Sequence, residues 1–112
     1  MSTAAEAREA NRCLGIRMRA VLDYLSRQPD GFFDHRHALK EAERAFPPSG
    51  REATRNNSGR PRWLHSLQWN TTGMVKAGWM LKDNRGGWSI TPAGREALVA
   101  IPDPEDFVLE SR

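Results

Sequence analysis

The stretch RPRWLHSLQWNTTGMVKAGWMLKDNRGGWSIT, residues 60–91, most constrains what this chain can fold into. Its first half has a helical period: Leu64, Leu67, Thr71 and Met74 recur at spacings of three, four and three, with Val75 flanking. Lys76-Ala77-Gly78 then places a cation in the last turn and a glycine at the cap, a common helix stop. Two short apolar runs follow, 79–82 and 88–90. The five residues between them include two glycines, which suits a hairpin with an irregular loop. A helix over 61–77 running into a β-hairpin is predicted, with Pro61 tolerated in the first turn.

The remaining segments frame that unit. Leu14, Met18, Leu22 and Leu25, with Val21 beside them, form one apolar stripe and predict a first helix over 4–27. Gly15 weakens its middle by roughly 1 kcal/mol relative to Ala. Gln28-Pro29-Asp30-Gly31 stops it. Asp34 is a suitable N-cap for a second helix reaching about Ala45, with Ala38, Leu39, Ala42 and Phe46 inward and Phe32 and Phe33 packing at its entrance. Pro47-Pro48-Ser49-Gly50 ends that helix. Residues 51–62 have no periodicity and read as a loop, either a phosphate-contacting arm or a mobile solvated segment. Thr91-Pro92 starts a last helix that returns Ala93, Ala97, Leu98 and Ile101 to the core.

This order predicts an α+β, mainly helical chain of the winged helix-turn-helix class: three helices, a C-terminal β-hairpin wing and an additional C-terminal helix. Residues 1–101 are expected to form a single winged-helix domain. Residues 102–112 are expected to be an acidic, flexible tail, although Phe107, Val108 and Leu109 are apolar enough to dock. A chain of 112 residues suits one domain. Cys13 is the only cysteine, so no intrachain disulfide is possible. The N-terminus has acids and no apolar h-region, and no apolar run approaches the ~18 residues of a membrane span. A reduced, cytoplasmic protein away from membranes is the expectation.

Charge is unevenly spread. Residues 51–85 hold seven Arg/Lys against Glu52 and Asp83, whereas 101–112 hold four acids against Arg112. The positive excess therefore falls on the helix–hairpin unit and points to a polyanionic partner, double-stranded DNA. On the predicted helix, His65, Trp69, Thr72 and Lys76 follow at four, three and four on a face other than the apolar one, with Gln68 beside them. Gln reads adenine bidentately in the major groove, and Thr or an aromatic touches a thymine methyl or a methylated base. His65, Gln68, Trp69 and Thr72 are the base-facing candidates; Arg55, Arg60, Arg62, Lys76 and Arg85 are the backbone contacts, Arg85 from the hairpin tip. Burial beneath the hairpin is the commoner fate of a tryptophan and is favoured for Trp69.

The acids and histidines show no nucleophile–base pairing, so the chain does not read as an enzyme. His35 and His37, two apart, do not face one another on a helix. A zinc site would need Cys13 or His65 brought to them, and neither metal nor cofactor is expected. A protein-interaction or dimerisation module is the alternative, since fold alone does not settle use.

The run WNTTGMVKAGWMLKDNRGGWSITPAGREAL resembles the N-terminal winged-helix domain of Mrr-type restriction proteins. The matching residues are Trp69, Met74, Lys76-Ala77-Gly78, Arg85-Gly86, Trp88, Ile90-Thr91, Gly94-Arg95 and Leu98, and Pro48-Ser49-Gly50 resembles the Pro-Ser-Gly before that family's third helix. The similarity is good over 47–100 and faint before it. It implies a DNA-reading domain that in relatives usually precedes a nuclease domain, and in some reads DNA with a modified, methylated base. No carboxylate pair with a following Glu-x-Lys and no His-Asn-His cluster occurs in these residues, so a nuclease would be a separate domain or subunit. Gly73 departs from the family, which often has a larger residue there.

Overall fold

The computed structural model describes residues 3–112. The chain forms α1 (Ala4–Ser26), β1 (Phe32–Asp34), α2 (His35–Ala45), α3 (Arg62–Lys76), β2 (Met80–Lys82), β3 (Gly87–Ile90), α4 (Pro92–Ala100) and α5 (Pro104–Glu110), with 3-10 turns at Pro29–Gly31 and Gly50–Ala53. Helix starts follow local chemistry. The side chains of Thr3, Asp34, Thr91 and Asp103 each accept a backbone N–H of their own first turn, and Pro92 and Pro104 stand at first helical positions. The architecture is α+β, with five α-helices and a three-stranded antiparallel sheet among the described residues.

The sheet order is β1-β3-β2. Met80 pairs with Ile90 and Lys82 with Trp88 in the expected hairpin. β1 was not expected. Phe32, Phe33 and Asp34, read as the entrance to α2, pair instead with Ser89, Trp88 and Gly87. Asp30 (φ 59°) and Gly31 (φ 65°) reverse the chain after α1 and deliver Phe32 extended against β3.

α1 is the central strut. Its Met18, Val21, Leu22 and Leu25 are fully buried, against Ala38 and Ala42 of α2, Leu67 and Met74 of α3, and the sheet residues Met80, Trp88 and Ile90. The expected flexible tail is corrected by the structure. Residues 104–110 form α5, whose Phe107 and Val108 are fully buried; Phe107 stacks on Trp79 at 4.7 Å between centroids. Arg19 of α1 closes the corner between the last two helices. Its guanidinium donates to the carbonyls of Leu98 and Ile101 at the end of α4 and stands 5.1 Å from the centroid of the Phe107 ring. Apolar burial and this cap hold the segment against its acidic composition. No helix among the described residues is long and apolar enough to cross a membrane.

Candidate nucleic-acid interface

α3 carries no carboxylate along its 15 residues. Leu67, Thr71 and Met74 are buried on α1 and the sheet, which turns His65, Trp69, Thr72 and Lys76 outward; all four are exposed, and Gln68 sits half-buried at the edge of the stripe. Trp69 is 75% exposed, so its expected burial is overturned. The space beneath the hairpin is filled by Trp79 and Trp88 instead, both buried.

The segment before α3 is built rather than loose. Arg17 of α1, only 3% exposed, donates through Nη1 and Nη2 to both carboxylate oxygens of Glu52 (3.0 and 2.8 Å) and through Nε to the Phe46 carbonyl (2.9 Å). The rings of Phe46 and Trp63 lie over its guanidinium at 5.2 and 5.4 Å. Glu52 also accepts from the Ser49 N–H at 3.3 Å. Beyond it, the Asn56 side chain accepts from the backbone of Ser58 and of Arg60, and a single β-bridge joins Arg55 to Pro61. An Asx-turned loop thus carries the cations to the start of α3.

Each basic candidate has a distinct setting. Arg55 is exposed but donates to the Gly59 carbonyl of its own loop. Arg60 donates to Gln68 Oε1 at 3.0 Å, which occupies the amide oxygen and leaves the amino group open. Arg62 Nε donates to Thr54 Oγ1 at 3.1 Å. Lys76 is exposed in the last turn of α3, and Arg85 is exposed in the hairpin turn. That turn is held by Asp83, whose Oδ1 accepts the N–H groups of Gly87 and Arg85, each at 2.8 Å. These bonds, with the nearby Arg85 charge, hold the Asp83 carboxyl below its usual value. The tip rests on α2: Gly86, at φ 85°, receives the His35 N–H at its carbonyl (2.9 Å). The other histidine of that pair, His37, lies edge-on to Phe33, 5.0 Å between centroids.

Two contacts set what flanks the stripe. Lys82 Nζ of β2 donates to Thr71 Oγ1 at 2.7 Å and lies 4.9 Å from the Trp88 ring centroid; burial lowers its pKa from the usual lysine value. The Ser111 carbonyl lies beside Gly73 of α3, where an added Cβ would stand 3.4 Å from it, at ordinary contact. Residues two apart on a helix differ by about 200° around the axis. The hairpin and the Ser111-Arg112 segment therefore border the exposed stripe on opposite sides. Arg112 joins the basic surface in this way, a placement hidden in sequence by the four acids around it.

Residues 17–100 match the family model of the Mrr N-terminal domain. The chain belongs to this family. Its membership makes it a module related to restriction systems. No curated protein and no solved structure matches the chain. The residues matched to the Mrr N-terminal domain contain α2, α3, the whole sheet, α4 and the C-terminal part of α1, while α5 and Arg112 lie beyond them.

The Arg17–Glu52 pair is a structural support of this surface, and its removal has a defined signature. Arg17 holds the Glu52 carboxyl below its ordinary value. A depressed carboxylate contributes stability above its unfolded pKa of about 4.3, and that stability is lost as pH falls through the folded value. Glu52→Gln leaves a buried cation with one charged partner fewer, a loss of about 2–3 kcal/mol at pH 7. Urea unfolding of parent and variant is expected to show this gap at pH 7 and its closure as the pH is taken below about 4.

Proposed function

We propose that this Mrr N-terminal domain is a winged helix that binds double-stranded DNA, as the recognition part of a restriction system whose nuclease is a separate domain or subunit. The observation that carries the reading is the acid-free α3. Its only outward-facing stripe holds His65, Trp69, Thr72 and Lys76, with Gln68 at the edge, beside a hairpin tipped by Arg85. The element order α1-β1-α2-α3-β2-β3 with β3 central supports this reading, in which the helix before the hairpin would enter the major groove.

α3 spans about 22 Å, so it reaches across one groove. His65, Gln68, Trp69 and Thr72 would meet base edges. Arg55, Arg60, Arg62, Lys76 and Arg85 would meet phosphates, from the arm, both ends of the helix and the hairpin. Such a module acts in the cytoplasm, where DNA is accessible. Within this reading Trp69 is the residue suited to a methyl group on a base, being the exposed apolar ring of the stripe. No catalytic role is assigned to the domain.

Titration of a duplex at several salt concentrations tests the proposal. About five neutralised phosphates predict that log K falls against log salt with a slope of roughly −4 to −5. An absence of binding, or binding with no salt dependence, removes it. Dimerisation through the exposed Trp69 would instead double the mass seen in light scattering without DNA.

A further inference from the structure

We propose that the groove between α3 and the Ser111-Arg112 segment is a subsite for a single nucleobase turned out of the duplex. The inference deepens the DNA-binding reading and rests on it. The groove has a volume of about 510 Å³ and is lined by Trp69, Asn70, Thr72, Gly73, Lys76 and Arg112, besides Ser111. That volume is in the range of small-ligand sites, roughly 300–1,000 Å³, and no Asp or Glu side chain lines it.

Its chemistry is that of a nucleotide. Trp69 offers a largely bare indole, and every base has a π-face able to stack on one. Gly73 has no side chain, so nothing projects from the helix there, beside the Ser111 carbonyl that an added Cβ would meet at 3.4 Å. Asn70 Nδ2 donates to the Ser66 carbonyl at 2.8 Å, which fixes the amide and leaves Oδ1 to accept from an exocyclic amino or ring N–H. Thr72 adds a hydroxyl. Lys76 and Arg112 stand at the sides of the groove, where the phosphates flanking a turned-out base would pass. The groove opens on the flank of the stripe that would lie in the major groove, so the base has a short route into it. One wall comes from Ser111 and Arg112, which follow α5 and lie outside the stretch matched to the family.

Turning out a paired base carries an unstacking penalty that an unpaired base has already met. A duplex with one bulged nucleotide is therefore the probe, with its fully paired parent as reference. The bulged duplex is expected to bind on the order of tenfold tighter. A 2-aminopurine at the bulge should lose fluorescence further on binding, as it stacks on the indole. The ratio of bulged to paired affinity should fall to about one in Trp69→Ala and persist in Trp69→Phe, which keeps an aromatic face. Arg112→Ala should lower the salt slope for the bulged duplex by about one.

Equal binding of the two duplexes, with the salt slope intact, overturns the subsite and leaves duplex binding standing. A preference that survives Trp69→Ala also overturns it, because flexibility of the bulged DNA would then be its cause. Failure of both duplexes to bind overturns the subsite together with the reading beneath it.

Discussion

Gly15→Ala is expected to lower the stability of this domain by about 3 kcal/mol or more, although the same exchange in an isolated helix would raise it by about 1 kcal/mol. The reversal comes from α5. A Cβ built on Gly15 would lie 1.9 Å from the Pro104 carbonyl oxygen and 2.5 Å from its carbon. Both are backbone atoms at the start of α5, so no flexible side chain can swing aside. The helix must move away, and its anchors Phe107 and Val108 go with it. Full burial of such side chains is worth about 1.5–3 kcal/mol each, so partial undocking already exceeds the helix-propensity gain. At about 4–8 °C per kcal/mol for a domain near this size, the melting temperature should fall by more than 10 °C. Gly73→Ala is the control: it lies within α3, and its Cβ would reach only ordinary contact, 3.4 Å from Ser111. Thermal melts followed by circular dichroism decide the matter, and a Gly15→Ala protein as stable as its parent would mean that α5 does not press on α1 there.

The same glycine shows what the sequence makes readable and what it hides. Helices were readable because their stripes and caps are local: Leu14-Met18-Leu22-Leu25, the Asp34 cap, Thr91-Pro92, and the Lys76-Ala77-Gly78 stop all reappear as helix faces and ends. α5 was obscured because charge and two prolines dominate residues 102–112, while its evidence is split between Phe107-Val108 and Gly15, about ninety residues earlier. In sequence a mid-helix glycine signals a propensity cost, whereas here it marks backbone approach. β1 escaped because three residues are too few to show alternation, and its existence depends on pairing with β3, far along the chain. The stripe on α3 was readable from spacing alone. The side on which Trp69 falls was not, because that depends on which tryptophans fill the space under the hairpin. The order of residues 51–62 also lay outside local signals, since it depends on Arg17 reaching Glu52 across 35 positions.

Removing Arg60 and Lys76 together should weaken duplex binding on the order of 10²-fold at low salt, around 50 mM, if α3 lies along the major groove as proposed. The two cations occupy opposite ends of the exposed stripe, one before the first turn and one in the last. Each phosphate neutralised contributes about 0.9 to the salt slope, so a slope of roughly −4 to −5 should shrink to roughly −2 to −3. The penalty must then narrow as salt rises, because the lost term is counterion release. It should also be uniform across DNA sequences, since phosphate contacts carry no base information. Loss of Arg60 frees Gln68 Oε1 from its 3.0 Å partner. Any change in base preference in the double variant should therefore be reproduced by Arg60→Ala alone and be absent from Lys76→Ala. Arg44→Ala, on α2 and paired with Glu41, supplies the control in which binding stays near the parent value. Fluorescence-anisotropy titrations at three salt concentrations separate these outcomes, and a salt slope unchanged in the double variant would place the DNA on another face of the domain.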